Sequence, residues 1–239
     1  MLERLNFRPR VIPTVATILG IALTAWLGNW QLNRAAEKVR LQQRMDRGSD
    51  QAAVHVGRDL LSAGDIVYLR VEATGEFIPG DTVYVDNRTR DGVPGYEVVS
   101  ALRIDSGVPA LLVNRGWVAA GVERAHLPEV RTLPGRVKVE GIALPGDPRM
   151  FELSKQVRSG PVWQNVTVER YSKAFGLQLQ PIIVRAQNDL GDGLLRDWPR
   201  PDVGIDRHRA YAFQWFAMAL AILIIYVVSA VKRRTAAAL

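Results

Sequence analysis

The 239-residue chain has no cysteine, and that absence removes disulfides, thiolate-bound zinc, cysteine nucleophiles and thiol-based copper transfer at once. Histidine is almost as scarce. His55, His126 and His208 are the three present, in no spacing typical of a zinc site. No HExxH, GxSxG or Walker pattern occurs, so the familiar routes to metal-assisted hydrolysis, serine chemistry and nucleotide binding are closed. Glu72, Glu76 and Asp81 come nearest to paired carboxylates, and edge-strand or turn positions account for them. His55 and His126 lie close to glycine or proline in loop-like stretches and read as solvated surface side chains. Internal repeats are lacking, and low complexity is confined to Ala236-Ala237-Ala238. The chain does not read as an enzyme.

Charge is also missing from two long apolar stretches, Val11 to Leu32 and Ala210 to Val231. At about 1.5 Å rise per residue each makes a helix of roughly 33 Å, enough to cross a hydrocarbon core of about 30 Å. The first stretch is longer than the apolar core of a signal peptide, and it leads into Trp26, Gly28 and Trp30 with no small-x-small cleavage pattern. Apart from Tyr226, Ala217 to Val228 is uniformly apolar, which a soluble amphipathic helix would not be. Two membrane crossings return the chain to its starting side. Both tails therefore share one compartment, and the long polar middle lies in the other.

The tails carry most of the net charge of +7. Arg4, Arg8 and Arg10 stand against Glu3 in residues 1–10, and Lys232, Arg233 and Arg234 have no acidic neighbour in residues 232–239. Positive flanks place the tails on the cytoplasmic or matrix side, whereas a long loop crosses largely regardless of its charge. The segment 33–209 holds 25 basic and 23 acidic residues. This near balance argues against a nucleic-acid surface, which needs a clustered basic face with stacking aromatics. Ten residues before the first span leave no room for an organelle presequence, so a bacterial plasma membrane is the expected home.

Between the spans, residues 33–50 are rich in helix formers and extend the first helix. Residues 51–195 then show β-branched alternation at 66–77, 82–86, 96–104, 110–118 and 137–144, with a short helix over 168–175 and a last strand over 181–186. Residues 196–209 form a linker to the second span. The expected architecture is two terminal transmembrane helices flanking an extracytoplasmic α+β domain, a mainly antiparallel β-sheet or small barrel.

Three strings stand out from this background. Gly28-Asn29-Trp30-Gln31-Leu32-Asn33-Arg34 closes the first span, Val113-Asn114-Arg115-Gly116-Trp117 runs along a strand, and His208-Arg209-Ala210-Tyr211-Ala212-Phe213-Gln214-Trp215-Phe216 opens the second span. With Gly75-Glu76-Phe77, and in this order along the whole chain, they resemble the Surfeit locus protein 1 family, assembly factors of cytochrome c oxidase. Asp206-Arg207 and Ser100-Ala101-Leu102 depart from the family pattern. The resemblance implies a non-catalytic role in maturing the largest oxidase subunit, through binding of haem a. Haem a synthase or other assembly factors are further expected partners, together with the lipid bilayer. No nucleotide, zinc or thiolate-bound metal is expected.

Helical spacing puts His208, Tyr211 and Trp215 within about 60° of one face, and Trp26, Trp30 and Asn33 on a shared face of the first helix. His208 is the expected axial ligand to haem iron. Arg34, Arg207 and Arg209 are the expected partners of the haem propionates. Trp26, Trp30, Gln31, Tyr211, Gln214 and Trp215 complete the candidate pocket. An aromatic belt at the membrane interface explains the same tryptophans without a ligand, and Gln31 and Gln214 equally suit hydrogen bonds across the helix pair. On the 110–118 strand, alternation places Val113, Arg115 and Trp117 on one face and Asn114 on the other. Asn114, Arg115 and Trp117 are candidates for a partner contact, with a core Trp117 and a turn-organising Asn114 as the structural alternative. A cofactor-free scaffold that stabilises an oxidase assembly intermediate is the competing function.

Overall fold

The computed structural model describes residues 6–7, 10–57, 59–104, 109–121, 126–131, 133–147, 158–199 and 204–232. Arg4, Arg8, Arg233 and Arg234 lie outside these residues. In chain order the elements are β1 (Asn6–Phe7), α1 (Val11–Asp50), β2 (Val54–His55), α2 (Ala63–Ile66), β3 (Arg70–Phe77), β4 (Val83–Val85), β5 (Gly95–Arg103) and β6 (Ala110–Ala119). There follow β7 (Val137–Pro145), β8 (Arg158–Ser159), β9 (Val162–Trp163), α3 (Val168–Phe175), β10 (Leu179–Ala186), α4 (Ile205–Ala230) and β11 (Val231–Lys232). The chain divides into two compact units, residues 1–43 with 200–239 and residues 44–199.

The first unit is an antiparallel helix pair, and both of its helices are long and apolar enough to cross a membrane. Pro13 is tolerated because it falls in the first turn of α1, where its missing N–H has no helical partner. On α1 the shielded positions Thr14, Thr17, Ile21, Thr24, Gly28, Gln31 and Ala35 recur at alternating steps of three and four; on α4 Ile205, His208, Ala212, Trp215, Ala219, Ile222 and Tyr226 do the same. That repeat of 3.5 keeps one seam facing the partner helix. Thr14 Oγ1 and Tyr226 OH are 2.6 Å apart at one end of the seam. Gly28 faces Phe216 so closely that a Cβ there would lie 2.8 Å from its ring. Small residues at such crossings let helices approach where lipid supplies no hydrophobic drive to associate. The outward faces are apolar and exposed, with Ile12, Leu19, Leu23, Ile225 and Val228 among them. β1 and β11 pair antiparallel through Asn6 with Lys232 and Phe7 with Val231.

In the second unit, among the described residues, nine strands form one sheet in the order β2-β3-β7-β10-β6-β5-β4-β9-β8. A further pairing of β3 with β5, through Glu76 with Arg103 and Phe77 with Leu102, closes five of them into a barrel. Most pairs are antiparallel, but β2–β3, β4–β9 and β6–β10 are parallel, so the sheet is mixed. Closing so few strands demands sharp coiling, and Gly75 and Gly141 permit it: a Cβ at Gly75 would meet Arg103 O at 2.3 Å, and one at Gly141 would meet Arg185 O at 2.2 Å. Val71, Ala73, Phe77, Leu102, Leu111, Val113, Val139, Ile182 and Val184 fill the inside. The opposite face of β5, β6 and β10 offers Val99, Ala101, Ala110, Leu112 and Ile183, and α3 covers it with Tyr171.

Helix α3 is specified locally. Thr167 caps its start by accepting the Arg170 N–H at 3.1 Å, and Gly176 ends it in the left-handed conformation at φ 67°. Where alternation predicts one strand over 66–77, the structure instead has α2 and then β3 from Arg70. The reason is a pivot at Tyr68, whose φ of 74° no strand residue holds. Its N–H donates to Ala143 O at 2.7 Å, which anchors the pivot to β7. A cavity of about 610 Å³ beside it is lined by Arg44, Arg47, Gln51, Asp65 and Tyr68 and contains none of the candidate site residues. β8 and β9 have no counterpart among the strands that alternation predicts, being two residues each and too short to alternate.

Candidate functional site

Gln31 and His208 come together on the helix seam, with Gln31 Oε1 2.7 Å from His208 Nδ1. A carboxamide oxygen only accepts, so in this arrangement Nδ1 is the donor and Nε2 is the ring nitrogen left for another partner. This is the tautomer of a nitrogen ligand whose orientation is fixed by its other ring nitrogen. Three residues into α4, the histidine is half-buried, and its backbone N–H reaches back to Gly204 O. Trp215 lies two turns further along the same seam, and Tyr211 is on the flank between them, 46% exposed.

The other candidates face away. Trp26 and Trp30 occupy the side of α1 remote from the seam and are 64% and 43% exposed. The face that Trp26 and Trp30 share is therefore turned outward from the seam where Gln31 and His208 meet, because each indole is about 140° or more from that seam at 100° per residue. Gln214 is likewise exposed, on the outer side of α4. The guanidinium carbon of Arg34 sits 5.7 Å from the Trp30 ring, and Nη1 bonds Glu37 at 2.8 Å. Arg209 is exposed and lies 3.8 Å from Asp206. His208, Gln31 and the exposed cations Arg34 and Arg209 thus share one end of the helix pair.

Asn114, Arg115 and Trp117 are all buried inside the barrel unit. The register of β6 on β5 sets Gly116 opposite Val98 and Asn114 opposite Val99, so Arg115 is an extra residue, a β-bulge. The bulge overturns simple alternation. Trp117, opposite Glu97, returns to the face of Asn114, while Arg115 turns to the barrel interior, 4.7 Å from the Phe77 ring. There Arg115 Nη2 bonds Asp192 Oδ2 at 3.0 Å and Arg131 O at 2.8 Å. Asp192 also pairs with Arg196 and accepts the Leu194 N–H at 3.3 Å. Asn114 Nδ2 donates to Glu97 Oε2 at 2.7 Å, and Trp117 Nε1 donates to Arg88 O at 2.6 Å.

A buried carboxylate and a half-buried cluster were not foreseen from the sequence. Asp81 is 3% exposed; its Oδ2 accepts the Ala101 N–H at 3.0 Å, and its own carbonyl accepts the Tyr171 hydroxyl at 2.6 Å. Burial pushes its carboxyl up to about 6, against the opposing pull of the Tyr171 and Ala101 hydrogen bonds. The second group gathers Arg88, Arg90, Glu97, Arg185 and Trp198. Its members come from four separate elements, so no spacing signals it.

Gly28 controls the helix approach beside His208. Replacing it with Val is expected to wedge Phe216 away and loosen the Gln31–His208 contact, at about 1–3 kcal/mol for overpacking. Cysteines placed at 31 and 208 in this cysteine-free chain should then cross-link in lower yield than with Gly28 intact.

A sequence model of the SURF1 family matches residues 18–220. The chain is similar to a SURF1-like protein of Rickettsia bellii, 25% identical over 219 residues that cover 89% of this chain and 88% of that one. An uncharacterised SURF1-like protein of Mycobacterium bovis is 27% identical over 202 residues, 81% of this chain and 73% of the relative. A SURF1-like protein of Dictyostelium discoideum is 32% identical over 103 residues, 39% and 38% of the two chains.

Proposed function

Since the chain belongs to the SURF1 (Surfeit locus protein 1) family and so has a role in cytochrome c oxidase assembly, we propose that it binds haem a through His208 and supports insertion of haem a into the largest oxidase subunit. The observation that carries this reading is the Gln31–His208 hydrogen bond, because it orients an imidazole with Nε2 left as a lone-pair donor. Haem, when bound, would supply an iron centre able to take a nitrogen donor, an apolar ring surface and carboxylates at its edge. The chain's own residues suit each feature. Gln31 holds the tautomer, Tyr211 and Trp215 offer ring surface beside the histidine, and Arg34 and Arg209 are exposed cations at the same end for the carboxylates. We place both tails in the cytoplasm and the barrel unit on the outer side of a bacterial inner membrane.

Protein purified from cells that make haem a is expected to carry a haem absorption band. His208→Ala should abolish that band, and Gln31→Leu should weaken it while the two helices still pair. Unchanged spectrum and stoichiometry in His208→Ala would remove the histidine from this role. The second reading is a cofactor-free scaffold, favoured by the same bond, since it joins the helices whether or not a ligand is present. Purified wild-type protein without haem that still retains the oxidase subunit would select it. For orientation, Leu60→Cys at an exposed barrel-unit position should react with an impermeant label in intact spheroplasts, and Ala238→Cys only after permeabilisation.

A further inference from the structure

The outer face of β5, β6 and β10 changes character along its length. Under α3 it presents Val99, Leu112 and Ile183, and two residues further along each strand it carries Glu97, Asn114 and Arg185. In the parallel register Asn114 and Arg185 are direct neighbours. Two loops close over them. Arg90 places its guanidinium carbon 5.7 Å from the Trp117 ring and 5.2 Å from the Trp198 ring, and that of Arg185 is 5.3 Å from Trp198. Both indoles are pinned, Trp117 to Arg88 O and Trp198 to Ala186 O at 2.7 Å.

Hydrogen bonding is incomplete here. Glu97 accepts from Asn114 and lies 3.4 Å from Arg88 Nε. Arg185 is pushed down by burial, held up by Glu97 and pushed down again by Arg90. Among the described residues, Arg90 Nη2, Arg185 Nε and Asn114 Oδ1 are buried without a partner. Two orphaned donors beside an orphaned acceptor call for a group that is anionic and also carries a hydroxyl. An ionised carboxylate offers acceptors only, whereas hydrogen phosphate, or the phosphoglycerol headgroup of a lipid, offers both kinds of atom.

We propose that Arg90 and Arg185, beside Trp198, form a binding site for a phosphate group whose hydroxyl Asn114 accepts. The anion relieves the repulsion between the two guanidiniums and satisfies all three orphaned atoms. The source is either a soluble phosphate or an anionic phospholipid headgroup, and the test separates them.

The full-length protein in delipidated detergent is titrated with sodium phosphate, with sodium chloride at matched ionic strength as control. In a second arm phosphatidylglycerol is compared with a phosphate-free glycolipid. The thermal midpoint should rise in at least one arm: a rise with phosphatidylglycerol alone identifies the headgroup, and a rise with phosphate identifies the soluble anion. Arg185→Gln and Arg90→Gln should each raise the half-saturating concentration about tenfold or more, the loss of one charge-assisted hydrogen bond. Each variant also gives up a guanidinium contact with Trp198, so the half-saturating concentration, not the midpoint without ligand, is the readout. Phosphorus NMR of wild-type protein, reading line broadening of the same probes, tests the site with no substitution. No response in either arm, a response equal to that of chloride, or one that both variants retain would overturn the proposal.

Discussion

Replacing Asp192 with Ala is expected to lower the unfolding free energy by about 3–5 kcal/mol, because it leaves two guanidiniums in the barrel end without their carboxylate. The Asp192 side chain is 0% exposed, and those of Arg115 and Arg196 are 3% and 7% exposed. Arg115→Met should cost less. It removes one cation while Asp192 keeps Arg196, and the methionine still packs on Phe77. Chemical unfolding of the full chain in detergent, followed by tryptophan fluorescence, measures both. If Arg115→Met proves the more damaging of the two, the carboxylate is not the hub of this network. The same geometry argues that any loss of oxidase binding in an Arg115 variant has to be read alongside its folding.

Asp81→Asn is expected to stabilise the protein at neutral pH by about 3 kcal/mol, the free energy that corresponds to a rise of about two pKa units. The native carboxyl is raised to about 6 from an ordinary value of 3.8, so between those values the folded state holds a proton that the unfolded state has lost. Stability from this group is therefore complete below about pH 4 and is lost as pH climbs through 6. The amide oxygen of Asn can still accept from Ala101. Wild type and variant should accordingly unfold alike at pH 4 and diverge by pH 7.5. A difference that does not depend on pH would sink this account.

The two spans were legible because their signal is length and uniformity, which nothing in the tertiary structure can cancel. Helix α3 was legible to the residue, since Thr167 and Gly176 act locally at its ends. A small barrel stood beside an open sheet as an expectation, and the choice between them was not legible, because closure rests on the non-local pairing of β3 with β5 and on the parallel contact of β6 with β10, neither of which leaves a pattern in either strand. The faces of β6 were misread at Trp117 for a related reason: one extra residue at Arg115 inverts everything beyond it, and alternation carries no mark of a bulge. At the helix pair, a hydrogen bond from Gln31 across the helices stood among the open alternatives without His208 as its partner, while the outward turn of Trp26 and Trp30 follows from a seam that only the partner helix defines.

The last barrel strand in the chain, β10, lies between β7 and β6. During synthesis the barrel consequently stays open until residue 186 has emerged, and until then β6 and β7 each expose an unpaired backbone edge able to recruit another chain. Only 18 residues separate that strand from α4. Maturation of the soluble part and insertion of the second anchor are thus nearly simultaneous events, and a ribosome stalled before Leu179 would leave a membrane-tethered, aggregation-prone intermediate in place of a smaller domain.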